Sequence, residues 1–326
     1  MKKRYILGLL LSIFIHSSHA EELTFEHGDN VLSGQFFGPT NGKSAKAVIL
    51  FVHGDGAANY NAEGFYEIIW EPLRENGYAV FSWDKPNVGQ SSGNWLKQSM
   101  IDRQNEVLAA TNAVQAKYGF SGENTGLLGF SQAGWVAPAV ARHSSKIGFV
   151  IGVGFATNWV EQGRYFTRVK YSRAGKSTKQ IEKKVSSYNN EIQFLKTSPS
   201  YTEYSEFIGS NDISQDRFEF IKNNFQADAT QDLEKLNVPG LLLWGEDDLN
   251  VNAEREFEVW NIRKNPMITT KLIANASHNM LDSTSFDTQE ITLSQWLKIM
   301  WFKQDALSDD FMPTLIAWLE EREFNT

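Results

Sequence analysis

The sequence contains no cysteine, and this absence limits how the chain can be stabilised. Disulfide bonds are excluded, and so is lipid attachment through a cysteine thiol. Proline is also scarce, with 8 residues in 326, and no Pro/Gly-rich linker or low-complexity tract divides the chain. We therefore expect an ordinary hydrophobic core, and the length suits one domain that carries an insertion.

Long hydrophobic runs are absent except near the start. There, three cations at positions 2–4 precede an apolar stretch at positions 5–15, and small residues lead to Ala20. This pattern is typical of a secretory signal peptide over residues 1–20, cleaved after Ala20. The alternative is an uncleaved anchor, but the apolar stretch is shorter than the about 20 residues that cross a bilayer. The sequence predicts an exported protein, periplasmic or secreted, that starts at Glu21 without a stable membrane anchor.

Positive charge is scarce relative to negative charge. The chain has 31 Lys and Arg residues against 39 Asp and Glu residues, a net charge of −8. Removal of the predicted signal peptide takes three cations away and brings the net charge to about −11. An acidic surface disfavours binding to nucleic acid or anionic lipid.

Short apolar runs alternate with helical patterns along most of the chain. After a predicted hairpin around Gly28, the candidate strands are "AVILFVHGDG", "YAVFSWD", "TGLLGF", "IGFVIGVGF", "VPGLLLWG" and "ITTKLIA". Helical spacing occurs between them, for example in "IDRQNEVLAATNAVQAKYGF". The alternation predicts an α/β fold with a mostly parallel, doubly wound sheet.

The alternation breaks between residues 157 and 230. This stretch is long, aromatic and charged, with helical rather than strand character. We interpret it as a helical cap inserted into a core formed by residues 21–156 and 231–326. Within it, residues 161–184 hold eight cations against two carboxylates, a local charge of +6. That basic segment is either a solvated helix face or a surface that attracts anionic substrates.

Two serines compete for the role of nucleophile. Ser91 lies in "GQSSG", which fits the pattern Gly-x-Ser-x-Gly, and Ser131 lies in "GFSQAG", which departs from it at Ala133. A catalytic serine of this type sits on a sharp turn between a buried strand and a helix, whose N–H groups face an oxyanion. An apolar run precedes Ser131 and a helix-compatible run follows it, whereas Ser91 has the surroundings of a loop. The context predicts Ser131 as the nucleophile.

A serine nucleophile needs a base, and His278 is the histidine best placed to supply it. It lies in "ANASHNML", a loop after the last predicted strand. His143 is about 18 Å along the helix that follows Ser131, too far to reach back. His53 begins "HGDG", which suits a turn that presents backbone N–H groups, and His27 lies in the predicted hairpin. A surface loop histidine is the alternative interpretation of His278.

A carboxylate must hold the tautomer of that histidine, and "LLLWGEDDLNV" offers three after the penultimate strand. Asp248 is favoured because it lies one short turn beyond the strand end, from where it can curl back toward His278. Asp247 remains the alternative, since an error of one residue in the turn would exchange the two. The predicted triad in chain order is Ser131, Asp248, His278.

Five motifs together resemble those of a known superfamily. In chain order they read "HGDG", "DKPNVGQSSG", "GFSQAG", "GEDD" and "SHNM", and they extend over nearly all of the predicted mature chain. The sequence is similar to the α/β-hydrolase superfamily, and within it to the serine esterase and aminopeptidase-like branch, which has the same order of triad residues. It departs from the usual second motif at Pro86 and Asn87, and from the third at Ala133.

The resemblance implies acyl transfer as the reaction. Ser131 would take the acyl group, with His278 as base and Asp248 as the partner of that base. No metal or organic cofactor would take part. A carboxylic ester hydrolase is the favoured function, and the substrate would be a small ester or amide. A peptidase or amidase of the same fold, and a non-enzymatic binding protein on the same scaffold, are the alternatives.

The resemblance also implies how the oxyanion is bound. The backbone N–H groups of Gln132 and of Asp55, or alternatively Gly56, would supply the hydrogen bonds. Asp84 would organise the turn that contains "GQSSG" rather than act in the chemistry. The candidate pocket residues, for which core packing is the alternative account, are His53, Trp135 and Trp159.

Overall fold

Eight strands form one central sheet in the computed structural model, which describes residues 20–324. The strands are β1 (Glu21–His27), β2 (Asn30–Phe37), β3 (Val48–Val52), β4 (Ala79–Trp83), β5 (Thr125–Phe130), β6 (Phe149–Val153), β7 (Gly240–Gly245) and β8 (Ile268–Ile273). Their order across the sheet is β1-β2-β4-β3-β5-β6-β7-β8. β2 runs antiparallel to β1 and β4, and the other neighbouring pairs are parallel.

The helices follow the predicted alternation. They are α1 (Glu67–Glu75), α2 (Met100–Tyr118), α3 (Ala137–His143), α4 (Trp159–Arg173), α5 (Thr178–Leu195), α6 (Tyr201–Ile208), α7 (Gln215–Asn224), α8 (Thr230–Glu234), α9 (Ala253–Arg263), α10 (Leu293–Phe302) and α11 (Phe311–Glu320). Of these, α4 to α7 lie in the predicted cap.

The central strands are buried because helices cover both faces of the sheet. Every residue of β3, β4, β5, β6 and β7 is buried, as expected where helices pack on both faces of a parallel sheet. One buried cluster joins the sheet to Val107 of α2 and Trp260 of α9, and a second joins it to Ile69 of α1 and Leu315 of α11. The mostly parallel, doubly wound sheet is confirmed, and β1 and β2 form the predicted hairpin.

The cap has a small core of its own and a paired connection to the sheet. Its helices pack around buried side chains that include Leu195, Tyr204 and Phe218. At its base the two connecting segments run side by side, with the Ala229 N–H donating to the Thr157 carbonyl at 2.8 Å. Residues 158 and 228 form an antiparallel bridge. We call residues 157–159 and 227–229 the neck.

The predicted signal peptide lies outside the described residues except for Ala20. β1 begins at Glu21, the residue expected to follow the cleavage site. Within residues 20–324, none of the helices has the length and apolar character required to span a bilayer.

Candidate active site

Ser131 lies where the chain turns sharply out of β5. Its φ is +50°, a left-handed conformation that costs a non-glycine residue on the order of 1–3 kcal/mol. A short 3-10 turn and then α3 follow, so Ser131 has a strand-turn-helix setting. Gly54 on the neighbouring loop permits this close packing, because a Cβ there would lie 3.2 Å from the Phe130 carbonyl oxygen and 3.4 Å from Ser131 Cβ.

His278 and Asp248 form a buried pair at the same site. Nδ1 of His278 lies 2.7 Å from Oδ2 of Asp248, whose side chain is 0% exposed. Oδ1 of Asp248 accepts hydrogen bonds from the backbone N–H groups of Asn250 at 2.7 Å and Val251 at 2.8 Å. These donors fix the carboxylate, so it favours the tautomer with Nδ1 protonated and leaves Nε2 as the proton acceptor.

Asp247 faces a different environment. Its Oδ2 accepts a hydrogen bond from the Ser283 hydroxyl at 2.6 Å, and the residue is exposed. The turn after β7 separates the two carboxylates, since the Asp248 N–H donates back to the Gly245 carbonyl at 3.2 Å. The structure therefore brings Asp248, and not Asp247, to His278.

Gly154, directly after β6, makes room for the imidazole. Its φ is +61°, and a Cβ at this position would lie 2.8 Å from Cε1 and 2.9 Å from Nδ1 of His278. Real Cβ atoms do not approach other atoms this closely, so a larger residue would displace the ring. Sequence reasoning missed this residue, although a glycine at the end of the apolar run "IGFVIGVG" was the available signal.

Ser91 is a structural loop residue. Its hydroxyl donates to the Asp84 carbonyl at 2.7 Å and accepts from the Ser33 N–H at 3.0 Å. The Asp84 carboxylate in turn accepts the backbone N–H groups of Tyr60 and Gln90 at 2.8 and 3.0 Å. Asp84 thus ties loops together around "GQSSG", which is the organising role that the resemblance implied.

Hydrogen bonds from a buried lysine hold the "HGDG" loop after β3 in place. Lys85 Nζ donates to the carbonyl oxygens of Gly54 at 2.6 Å and Gly56 at 2.7 Å. Burial and the charge of Arg103 lower the pKa of Lys85 well below its ordinary value. An amine keeps two N–H donors even when neutral, so both bonds are compatible with either protonation state.

The two candidate oxyanion donors of this loop differ in their surroundings. Asp55 lines the cavity that also contains Ser131 and His278. Gly56, in contrast, lies outside this lining as the structure describes it, and its N–H helps to lower the pKa of the Asp55 carboxylate. The geometry favours Asp55 over Gly56, together with Gln132, which directly follows Ser131.

His53 supports this loop from the protein interior. Its Nε2–H donates to the Trp83 carbonyl at 2.6 Å, and its Nδ1 accepts from the Tyr66 hydroxyl at 3.0 Å. Burial lowers the pKa of His53 to about 3, so the ring is neutral at neutral pH. His53 was a candidate pocket residue, and the structure assigns it to the core instead, because both ring nitrogens are used in holding the loop.

Arg217 of α7 reaches from the cap to the same loop. Its Nη1 donates to Oδ1 of Asp55 at 2.9 Å and its Nη2 to Oδ2 at 2.6 Å. The Gln132 side chain also donates to Oδ1 of Asp55, at 3.2 Å. Although burial acts to raise it, the hydrogen bonds and charge of Arg217 lower the pKa of Asp55 to about 2. Asp55 is therefore an anion paired with Arg217 at neutral pH.

A largely apolar cavity of about 640 Å³ opens beside Ser131. Its apolar wall comes from the loops around the site and from α10, and includes Phe65, Phe130, Leu281, Ile291, Trp296 and Ile299. The polar lining includes Glu63, Asn250 and Asn279. Among residues 20–324, no group of three or more His, Asp or Glu side chains is arranged to hold a metal ion.

Trp135 and Trp159, the other candidate pocket residues, lie outside this lining as the structure describes it. Their rings stack on each other with centroids 5.0 Å apart, and the Trp135 indole N–H donates to the Thr157 carbonyl at 3.1 Å. Both pack where the neck joins the core. The core-packing alternative is therefore the correct account, because the chain after Ser131 directs Trp135 toward the base of the cap.

The basic segment, residues 161–184, also contributes nothing to the described lining. Its lysines are exposed. Three of its arginines form ion pairs, Arg164 with Glu161, Arg168 with Glu182, and Arg173 with Asp287. These surroundings are those of a solvated helix face rather than of a substrate site.

Sequence reasoning missed Lys85, Arg217 and the wall formed by α10. Lys85 directly follows a buried strand and Asp84, which was a weak local signal for a buried charge. Arg217 is 162 residues from its partner Asp55, so no local pattern connects them. For α10, the run "WLKIMWF" is apolar around most of the helix, which signals contacts on more than one side.

Comparison with known proteins adds a family and a fold. A family model described as serine aminopeptidase, S33, matches residues 43–284, which include Ser131, Asp248 and His278. No curated protein matches the chain closely.

Solved structures that resemble most of this chain include the following three. An esterase of Pyrococcus furiosus is 16% identical with a TM-score of 0.59, covering 94% of this chain and 92% of its own. A proline iminopeptidase of Mycobacterium smegmatis is 15% identical with a TM-score of 0.55, covering 92% and 98%. A serine hydrolase involved in carbazole degradation is 14% identical with a TM-score of 0.55, covering 93% and 100%. At these identities the likeness shows the fold alone.

Proposed function

Because the chain belongs to the serine aminopeptidase S33 family of α/β-hydrolases, we propose that it hydrolyses carboxylic esters through a triad of Ser131, His278 and Asp248. One observation carries the proposal. The buried 2.7 Å contact between His278 and Asp248 lies at a cavity whose wall also contains Ser131 on a strained turn. A base oriented by a carboxylate, at the same cavity as a half-buried serine, is the arrangement that acyl transfer requires.

The reaction then runs in two halves. Ser131 Oγ attacks the ester carbonyl carbon while Nε2 of His278 takes the hydroxyl proton. The backbone N–H groups of Gln132 and Asp55 bind the negative charge on the carbonyl oxygen. Collapse of this intermediate breaks the bond to the alcohol, which leaves with the proton from His278. Water, deprotonated by the same histidine, hydrolyses the acyl-enzyme and restores the Ser131 hydroxyl.

The cavity supports an ester with an apolar acyl group. Side chains such as Phe65, Ile291 and Trp296 offer an accessible hydrocarbon surface, and burying an acyl chain against it is favourable in free energy. A peptidase that acts on a free N-terminus needs a carboxylate for the ammonium group. At this cavity Asp55 is already neutralised by Arg217, which leaves Glu63 as the other carboxylate of the described lining.

A substrate panel tests this function. We expect p-nitrophenyl esters of graded acyl length to be hydrolysed with a kcat/KM far above that of matched aminoacyl and dipeptidyl anilides. Ser131→Ala should abolish hydrolysis and labelling by a fluorophosphonate, whereas Ser91→Ala should keep both, because Ser91 only ties loops together. Preferred cleavage of the anilides would establish the peptidase alternative. Labelling that survives Ser131→Ala would overturn the choice of nucleophile.

We also propose that the protein is exported and processed after Ala20. The cations, short apolar stretch and small residues of positions 1–20 support this. N-terminal sequencing of the protein recovered outside the cytoplasm should give Glu21 as the first residue. An intact N-terminus in the membrane fraction would instead support the anchor.

A further inference from the structure

The carboxylate of Asp55 connects both proposed oxyanion donors. Its own backbone N–H is one donor, and its side chain accepts a hydrogen bond from the side chain of Gln132, whose N–H is the other. The Gln132 side chain is also fixed from the other end, because Arg103 Nη1 donates to its Oε1 at 2.6 Å. Arg103 in turn donates from Nη2 to the His53 carbonyl at 2.5 Å. The orientation of the Asp55 carboxylate therefore influences the spacing of the two donors.

Arg217 controls that carboxylate from the cap. Two parallel N–H···O bonds, at 2.9 and 2.6 Å, hold the carboxylate plane in one orientation. The guanidinium is itself constrained, since it lies over the rings of Trp95 and Phe220 with distances of 5.9 and 5.1 Å to their centroids. Phe220 is fully buried, so the position of Arg217 is set by the packing of α7 on the core.

The ion pair between Arg217 and Asp55 also removes a charge repulsion in the transition state. The intermediate of acyl transfer places a negative charge on the oxygen that the Asp55 N–H binds. An unneutralised carboxylate on the same residue would repel this charge within a few ångströms and raise the barrier. Arg217 cancels that charge, so its contribution is larger in the transition state than in the substrate complex.

Building on the proposed function, we propose that Arg217 is a positioning residue for the oxyanion hole, which orients the Asp55 loop and neutralises the Asp55 carboxylate. The cap thereby completes the catalytic site of the core. Because Arg217 acts through Asp55, substitution of Arg217 and substitution of Asp55 should change kcat to different extents. Arg217→Gln leaves an anion beside the oxyanion, while Asp55→Asn leaves a cation there.

The test uses these variants in the full-length enzyme with a neutral p-nitrophenyl ester. For Arg217→Gln we expect kcat to fall about 10- to 100-fold, less than the about 10²–10³ for deletion of a whole oxyanion donor, with KM nearly unchanged. Asp55→Asn should lower kcat less than Arg217→Gln does. The double variant Arg217→Gln/Asp55→Asn should recover part of the activity lost in Arg217→Gln, because the unneutralised anion is gone. Arg217→Lys, which keeps the charge but not the paired geometry, should lie between Arg217→Gln and wild type.

A matched control is Arg168→Gln, which removes another cap arginine that pairs with a carboxylate, Glu182, away from the cavity. Its kcat and KM should equal those of wild type, and circular dichroism should show every variant folded. Arg217→Gln with wild-type kcat, or with only KM altered, would overturn the proposal. So would losses in the double variant that multiply those of the single variants. In each case the ester hydrolysis that depends on Ser131 would still stand, so failure here is distinguishable from failure of the proposed function.

Discussion

The loops after β3 and β7 each bring a carboxylate to the site, but they hold it in different ways. Asp248 is shielded from solvent, and its partners are backbone N–H groups two and three residues further on, besides His278. The side chain of Asp55 is 42% exposed, and its partner Arg217 lies on a cap helix far along the chain. The acid of the proposed triad is therefore positioned locally, whereas the oxyanion loop depends on how the cap docks.

This difference shows which part of the molecule can change the rate of the reaction. A carboxylate fixed by its own loop is in place whenever that loop folds, so it gives the chemistry a constant framework. A carboxylate whose partner lies on the inserted cap is held only when the cap is docked. Changes in the cap can therefore alter turnover while the triad stays the same. Substitutions in the two regions should therefore differ in the size and kind of their effect on activity.

The largest effect is expected at the locally held carboxylate. Asp248→Asn should lower kcat by up to about 10⁴-fold, because the amide stabilises the wrong tautomer of His278 and does not stabilise the imidazolium. The neighbouring Asp247→Asn is the control, and we expect activity close to wild type since Asp247 contacts Ser283 instead. Steady-state hydrolysis of a p-nitrophenyl ester measures both. A larger loss for Asp247→Asn would contradict the geometry of the turn after β7.

A smaller effect should follow from crowding the base. Gly154→Ala would bring a Cβ to within 2.8 Å of the His278 ring, and we expect kcat to fall about 10²-fold as the imidazole shifts. Gly119→Ala is a matched control, because Gly119 also has a positive φ, of +78°, but open space around its Cβ. Both variants should lose stability in thermal unfolding through backbone strain, and only Gly154→Ala should lose turnover. Equal activities of the two variants would show that the ring tolerates the methyl group.

The smallest effect is expected in the basic segment of the cap. Changing Arg168, Lys170 and Lys179 together to Gln should leave kcat/KM within about twofold for a neutral ester and for its anionic analogue, because exposed charges are screened by solvent. The ratio of the two kcat/KM values should also be independent of salt between 0.1 and 1 M, where the Debye length falls from about 10 to about 3 Å. A ratio that falls with salt in the wild-type enzyme, and no longer does so in the variant, would mean that these cations attract anionic substrates.

The contrast between the two loops also explains what the sequence could predict. The alternation of strands and helices, the turn at Ser131 and the placement of His278 follow from short apolar runs and from motifs at strand ends, so local pattern was sufficient. Asp248 was separable from Asp247 only by how the turn after β7 closes, which depends on backbone hydrogen bonds that a sequence does not display.

Long-range contacts account for what could not be predicted. Trp135 and Trp159 were expected in the pocket wall because they are aromatic, but they stack on each other at the base of the cap. The pocket wall comes instead from the loops around the site and from α10, which follows the His278 loop and carries no motif. Arg217 is one of many charged residues in the cap, and only the folded chain shows that it reaches Asp55 while Arg168 pairs with Glu182 on the cap itself.

The neck has a consequence for how this architecture diversifies. Residues 157–159 and 227–229 lie side by side, linked by backbone hydrogen bonds of the kind found at the open end of a hairpin. The paired neck fixes the two ends of the cap side by side, as in a loop between β6 and β7. The length of the cap can therefore change without moving either strand. Recombination or engineering can therefore exchange the segment between the paired ends as a cassette. A protein with a replaced cap keeps the triad, because the triad lies in the core. The new cap has to provide its own cation opposite Asp55.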